Sequence, residues 1–534
     1  MNLMFPQKLT FPLRQFFNII TLTDGRMLLA CLSIGFFVRL VPELLAFSTP
    51  IGFDTIYYAY VMKSGVVVSH WGSLFSSSWL LKAVIVSLYN MTKLDPFLLL
   101  KVIAPVLFGL NVAGVYWFSR KNLRWSIPMG LLAGVFFALQ LASLRISWDL
   151  LRNTLGLGIL MFALSYIKEV SSKRGFALFT GLSVLCVFAH EYAAVTLLFV
   201  VFGLLAWQLV RKQMNVDAKH LLLGVLPALS IFVVGLYLRL NPIRVAISSN
   251  VSVVGDTVSG NSGSLFFLVN YLQVQNSVDS YANYVGLAFS VFVLFALLYL
   301  PYLFLVVKGF FRNGILNFWT GLLLVGSFSC LIVPFSALQY WHRWMFMLAY
   351  PFTFYAVAAL SRFFSGFREK RFSLPGFFSS RKAAFSVLLT FGLGIAYLAT
   401  PVLMVFSDTS VPGISNTFLY FSTSPTVPYQ DVEDVVQAMN WLNNNMISMS
   451  SVVLQHAFVM WGRLYLDNSK AIFEFDKDVP LALSTAADNG FNQVYFVWWN
   501  VPIGWYGVSL SSDFVSVQDF GRISVYAYEG ELCG

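Results

Sequence analysis

Asp54 stands in the segment Pro50-Ile51-Gly52-Phe53-Asp54-Thr55-Ile56-Tyr57-Tyr58, directly after the first long apolar run. A carboxylate at the end of a membrane helix is costly to keep ionised beside apolar surface, which makes it a functional-site candidate. Two tasks suit it. It can cap the helix that would begin at Thr55, because Asp is a favoured N-cap residue. It can also accept a proton from an acceptor hydroxyl or amide, in a turn lined by Tyr57, Tyr58 and Tyr60.

Three other polar groups interrupt apolar sequence. In Arg145 to Asn153, Arg145 and Asp149 are four apart and share a helix face, which suits an ion pair. Alternatively Arg145 or Arg152 can offer its planar donor fork to a lipid phosphate. His190-Glu191 breaks two apolar segments and can act as proton relay, metal ligand or polar hinge. His342-Arg343 lies between Trp341 and Trp344, where an interfacial aromatic belt explains the tryptophans but not the two charges. The five histidines show no metal-ligand spacing, and neither a Gly-rich phosphate loop nor a Ser-His-Asp motif occurs. A divalent cation such as Mg²⁺ or Mn²⁺ is compatible with the chain, but no spacing calls for one.

The elements that must position these groups are membrane helices. Apolar residues make up 58% of the 534 residues and charged ones only 11%, with a mean hydropathy of +0.73, which excludes a soluble globular domain. Stretches long enough to cross a bilayer occur near 26–47, 97–118, 127–146, 153–168, 174–189, 192–210, 220–240, 284–307, 315–336, 344–361 and 384–406, about eleven spans. The first carries no cleavage site behind Lys8, Arg14 and Arg26 and is expected to stay as an anchor. Four scattered cysteines encode neither a disulfide framework nor a thiolate metal site.

Charge arbitrates the topology. With 74–91 lying along the surface rather than crossing, 20 of the 34 Lys and Arg fall on the side of the N-terminus. The N-terminus is therefore expected in the cytoplasm. The outer face then receives a first loop from about 48 to 96, the turns at Trp148-Asp149, at His190-Glu191 and at Gln339 to Arg343, a long Ser/Gly/Asn-rich loop from about 241 to 282, and the tail. Sequons at Asn90 and Asn250 fall on that side. Such bases, spread over short loops, read as topology and not as a nucleic-acid surface.

From about 407 the sequence becomes soluble in character. This tail holds 13 of the 24 acids and 4 of the 34 bases, a net −9 against +19 for the remainder. Asp431 to Asn445 has helical spacing with Asp431 as N-cap, and strand-like runs follow at 452–454, 471–473, 494–497 and 523–526. The expectation is an all-α polytopic membrane domain over 1–406 and a small outer α/β domain over 407–534.

The pattern resembles the GT-C class of integral-membrane glycosyltransferases, which includes protein O-mannosyltransferases, lipid A aminoarabinose transferases and the oligosaccharyltransferase catalytic subunit. The resemblance rests on Gly52 to Tyr58 in the first outer loop, a surface helix after it, Arg145 to Asn153 at the second outer turn and the soluble outer tail. It implies a multi-pass enzyme of the cell membrane, a sugar donor on polyprenyl (dolichyl-type) phosphate, and a lipid-linked glycan, protein or envelope acceptor on the outer side. Asp54 is then the base, and Arg145, Arg152, His342 and Arg343 are the candidates for the donor phosphate. Tyr57, Tyr58, Asp149, His190 and Glu191 are left for acceptor, sugar or relay.

The chain has Asp54-Thr55 where the protein mannosyltransferases carry Asp-Glu. It has Trp498-Trp499-Asn500 where oligosaccharyltransferases carry Trp-Trp-Asp-Tyr-Gly. These departures favour an inverting transfer of one sugar over en bloc oligosaccharide transfer, and a monophosphate donor can be stabilised by Arg and His without a metal. A secondary transporter using Asp54, Asp149 and Glu191 as coupling carboxylates is the alternative from another class.

Overall fold

The computed structural model describes residues 24–46, 51–68, 73–76, 78–212, 216–240, 281–331, 341–368, 374–399, 426–467, 469–475, 479–501 and 510–530. Residues 241–280 of the expected long outer loop, the Asn250 sequon and the 406/407 boundary lie outside these residues.

All eleven apolar stretches contain helix. Among the described residues eight helical segments are long and apolar enough to cross a bilayer. They are α1 (Asp24–Leu45), α4 (Pro96–Lys121), α9 (Glu191–Val210), α10 (Val216–Leu240), α11 (Tyr281–Gly309), α12 (Gly314–Phe328, extended by a 3₁₀ turn), the pair α13 (Trp341–Met347) and α14 (Ala349–Arg368), and α15 (Leu374–Leu398). The bent pair α5 (Ile127–Leu139) and α6 (Leu141–Asp149) is together long and apolar enough for a ninth, as a broken span or a re-entrant loop. The remaining two stretches form α7 (Leu151–Ser165) and α8 (Lys173–Ala189), 15 and 17 residues long. Between α1 and α4 lie α2 (Thr55–Ser64) and α3 (Leu80–Thr92), and α3, at 13 residues, is too short to cross.

Close packing of α1 on α4 depends on two glycines. A Cβ on Gly109 would come within 2.5 Å of the Leu32 carbonyl oxygen, and one on Gly35 within 2.8 Å of the Gly109 Cα. Small residues at a helix crossing let the backbones meet where lipid supplies no hydrophobic drive.

The 62° bend between α5 and α6 falls at Gln140, whose backbone is extended with φ −86° and ψ 145°. Its side chain bridges the break: Nε2 donates to the Ala349 carbonyl at 3.1 Å and to Thr353 Oγ1 at 2.7 Å, and Oε1 accepts from the Tyr302 hydroxyl. A polar group within the bilayer has to be satisfied by protein, and here that requirement pins the elbow that aims α6.

The basic ends of the helices meet at one end of the bundle. Arg120 pairs with Asp24, Lys121 with Glu169, Ser171 bonds Asp217, and Arg362 donates to the Lys308 carbonyl. The opposite end carries Asp54, α2 and α3.

On that opposite end sits the sheet domain. It comprises α16 (Val432–Asn445), β1 (Ser450–Gln455), α17 (His456–Tyr465), β2 (Ala471–Phe475), α18 (Val479–Asp488), β3 (Gln493–Trp499), β4 (Phe514–Asp519) and β5 (Ile523–Tyr528). The strand order is β2-β1-β3-β5-β4, with β1 parallel to β2 and β3, and β5 antiparallel to β3 and β4. Every residue of β1 is buried, as a central strand with helix cover on its faces requires. β4, which the pattern did not reveal, is the exposed edge strand.

Asp431 precedes α16 but makes no capping bond, contrary to the cap expected of it. It is wholly buried, and its carboxylate takes the Trp499 indole N–H at 2.8 Å and Arg522 Nε at 2.5 Å, tying α16 to the sheet. The domain docks through α17 on the first loop. Lys63 donates to the Leu464 carbonyl at 3.2 Å, and the Phe97 and Trp461 rings pack at 6.4 Å. Residues of α2, α3, α4 and the sheet form one continuous apolar core.

Candidate functional site

The first loop is seated by Gly52. Its φ is +92°, a left-handed conformation suited to glycine, and a Cβ there would lie 2.7 Å from Asp149 Cβ and 2.8 Å from the Trp148 carbonyl oxygen. Only a residue without a side chain brings this loop flat against the end of α6. Thr55 Oγ1 then donates to the Gly52 carbonyl at 2.6 Å, which closes the turn ahead of α2.

Asp54 occupies the N-cap position of α2, yet its side chain accepts no capping hydrogen bond, so the capping task is not the one it performs. Its carboxylate is aimed into a cluster of charges: Asp149, Arg343, Arg152 and Arg145 are its electrostatic neighbours. Burial, and then the facing Asp149 carboxylate, push the Asp54 carboxyl above the usual carboxylate range against the pull of the three guanidiniums.

α6 supplies the first ion pair. Arg145 Nη1 meets Asp149 Oδ1 at 2.5 Å, both side chains are buried, and the guanidinium lies 5.5 Å from the centre of the Phe346 ring. The i,i+4 pair expected from spacing is therefore present. A second network secures the end of this helix. Arg39 of α1, fully buried, donates from Nε to the Ser147 carbonyl at 3.2 Å, pairs with Glu43 at 2.6 Å and lies 5.1 Å from the Trp148 ring. Lys101 of α4 closes the network, 3.5 Å from the same Glu43 carboxylate. A cation at the last carbonyls of a helix is favourably placed against its dipole.

Arg152, at the start of α7, hydrogen-bonds the Tyr58 hydroxyl and has Asp54, Glu191 and Tyr57 within electrostatic reach. Tyr57 and Tyr58 pack edge to face at 5.5 Å, and the Lys82 ammonium of α3 lies 5.5 Å from the Tyr57 ring. Burial raises the Tyr58 hydroxyl well above its ordinary range, so it stays protonated as a donor.

His190 stands at the break between α8 and α9. Its Nδ1 accepts the Tyr192 backbone N–H at 3.2 Å as the N-cap of α9, and its ring stacks on Tyr192 at 5.2 Å. Tyr192 in turn meets Trp344 of α13 at 4.7 Å. The same helix carries His342 and Arg343, and Arg343 and Arg145 both lie within electrostatic reach of His342.

The fold thus gathers Asp54, Asp149, Arg145, Arg152 and Arg343 around one point, with Tyr57, Tyr58, Glu191 and His342 at its margins. Arg39, Glu43, Lys101 and Gln140 hold it from behind and were missed in the sequence. Arg39 and Glu43, four apart in an apolar run with Pro42 between them, were the available signal.

Among the described residues no group of three or more His, Cys, Asp and Glu side chains is arranged to hold a metal ion. Asp54 and Asp149 provide two facing carboxylates, one of them already paired, amid three guanidiniums whose planar donor forks match the geometry of anionic oxygens.

No protein-family model and no curated protein sequence matches the chain. Among solved structures it is similar to the oligosaccharyltransferase of Archaeoglobus fulgidus in its apo form, at 13% identity and a TM-score of 0.45, covering 88% of this chain and 69% of that one. A second structure of the same protein, a complex with zinc and sulfate, is similar at 12% identity and a TM-score of 0.42, over 87% of this chain and 67% of that one.

Proposed function

We propose that the protein is an inverting membrane glycosyltransferase that moves a single sugar from a polyprenyl-phosphate donor to a glycan, protein or envelope acceptor. The observation that carries this reading is the half-buried Asp54 carboxylate, not used as a cap, facing Arg343, Arg152 and Arg145 beside the docked first loop. The resemblance of Gly52 to Tyr58 and of the Arg145 turn to the GT-C class supports it.

In this reading Asp54 accepts the proton of the acceptor hydroxyl as its oxygen bonds the anomeric carbon. The bond from that carbon to the phosphate oxygen breaks, the electron pair leaves with polyprenyl phosphate, and one displacement inverts the centre. Arg152 and Arg343 take the departing phosphate charge, a guanidinium fork matching phosphate oxygens. Arg145 holds Asp149 in place, since its donors are engaged there. Tyr58 supports Arg152, and His342 supports Arg343.

The proposed topology puts the N-terminus in the cytoplasm and the sheet domain outside the cell membrane, with the domain division near 406/407. The membrane domain then binds the lipid donor, and the sheet domain with α2 walls the acceptor side. No metal step enters this scheme.

Transfer of labelled sugar from a panel of polyprenyl-phosphate sugars to glycolipid and protein fractions in proteoliposomes tests the reading. Product with wild type and none with Asp54→Asn is expected. Equal product from both removes Asp54 as the base, and no product with any donor removes the transferase.

A further inference from the structure

At the other end of the bundle α11 and α15 run antiparallel and leave a groove of about 810 Å³ between them. Its walls are apolar stripes at helical spacing: Leu297, Leu300 and Phe304 on α11, and Phe385 and Leu389 on α15. Leu300 and Phe385 are each 65% exposed, so the stripes face outward from the bundle and away from its core. Arg381 and Lys382, both exposed, close the end of the groove beside Phe304.

From Val293 to Phe304 the α11 wall rises about 16 Å at 1.5 Å per residue, close to the thickness of one leaflet of a hydrocarbon core of about 30 Å. The cations therefore sit at head-group level with the apolar stripes at acyl-chain depth. They share the basic end of the bundle with Lys308 and Arg362. The charge cluster around Asp54 is elsewhere: it meets α15 at Tyr397, whose ring packs at 4.8 Å on Trp148 and which feels Arg145. That point is about 22 Å along the helix from Lys382.

We propose that the α11–α15 groove is a binding site for an anionic phospholipid of the leaflet opposite Asp54. One acyl chain lies along the stripes and the phosphate lies against Arg381 and Lys382. Two cations at one end of an outward-facing apolar trough select for charge at the head group, whereas the trough alone would accept any diacyl lipid. The proposal does not depend on the glycosyltransferase reading, because it concerns the far side of the membrane domain.

The full chain, stripped of lipid in detergent, is titrated with phosphatidylglycerol and phosphatidylcholine of identical chains and with undecaprenyl phosphate, and bound lipid is read by native mass spectrometry. Phosphatidylglycerol is expected to bind roughly 10- to 30-fold better than phosphatidylcholine, the range that two juxtamembrane cations supply. Arg381→Gln with Lys382→Gln should level the two, and Leu297→Trp with Leu389→Trp should weaken both by filling the trough. Equal binding of the two phospholipids to the wild type overturns the proposal without any variant. So does a glutamine pair that keeps the preference, or a preference for undecaprenyl phosphate that the glutamine pair abolishes. Thermal melts of both double variants check that they fold.

Discussion

The two ends of the helical bundle use charge in opposite ways. At the basic end the ion pairs are open to water: the Lys121–Glu169 side chains are 36% and 39% exposed, and Asp24 beside Arg120 is 44% exposed. At the Asp54 end Arg39–Glu43 and Arg145–Asp149 are buried and close, and the second pair is hydrogen-bonded. Screened pairs contribute up to about 1 kcal/mol, and deleting one member of a buried pair costs about 3–5 kcal/mol. The exposed pairs are therefore cheap to lose, whereas the buried end holds a shape that is costly to keep.

The sharpest way to break this contrast is at Asp54. Asp54→Asn is expected to lower transfer by roughly 10²- to 10⁴-fold, the usual span of general-base catalysis, with the fold retained in thermal melts. Next comes Arg145→Ala, which strands Asp149 in a buried position and should cost about 3–5 kcal/mol in reversible unfolding or a comparable loss of folded yield. Arg39→Ala belongs in the same class, since it leaves Glu43 with Lys101 alone and the end of α6 without its cation. By contrast Lys121→Ala at the basic end should stay within about 1 kcal/mol in the same measurement. If Lys121→Ala and Arg145→Ala cost the same, the contrast between the two ends fails.

A pH series sharpens the comparison further. The Asp54 carboxyl is raised, so its charged form is disfavoured by folding and its ionisation subtracts stability above the folded pKa. Asp54→Asn should then be the more stable protein at pH 8, and the difference should shrink as pH falls and the wild-type carboxyl protonates. Transfer by the wild type should decline over the same interval, starting above the usual carboxylate range, because only the ionised form accepts a proton. A decline confined to pH values near those of ordinary carboxylates would place the burden of catalysis on another group.

Particular residues show where sequence reasoning worked and where it stopped. Asp54 was legible because a carboxylate beside an apolar run is anomalous by itself, and Arg145 with Asp149 because helical spacing is local. The runs that became β1, β2, β3 and β5 were legible for the same reason, and β4 was not, because its largely exposed residues carry little apolar signal. Arg39 escaped notice because its role depends on the carbonyls of Ser147 and Trp148, which come to it only through the packing of α1 beside α6. Gln140 looked like an ordinary polar residue until the bend gave it Ala349, Thr353 and Tyr302 as partners. The cap expected of Asp431, and the capping alternative at Asp54, give way because partners outside the local turn decide where each carboxylate points.

By itself the sequence determined that this is a multi-span membrane chain with a separate sheet-forming tail, because hydropathy, loop charge and strand alternation are sums over neighbouring residues. Only the tertiary structure decided which charges meet. Asp54, Arg152 and Arg343 come from three separate stretches of the chain, and no periodicity links them. They converge because Gly52 admits the first loop against Asp149, Gln140 bends α5 into α6, and Arg39 grips the end that results.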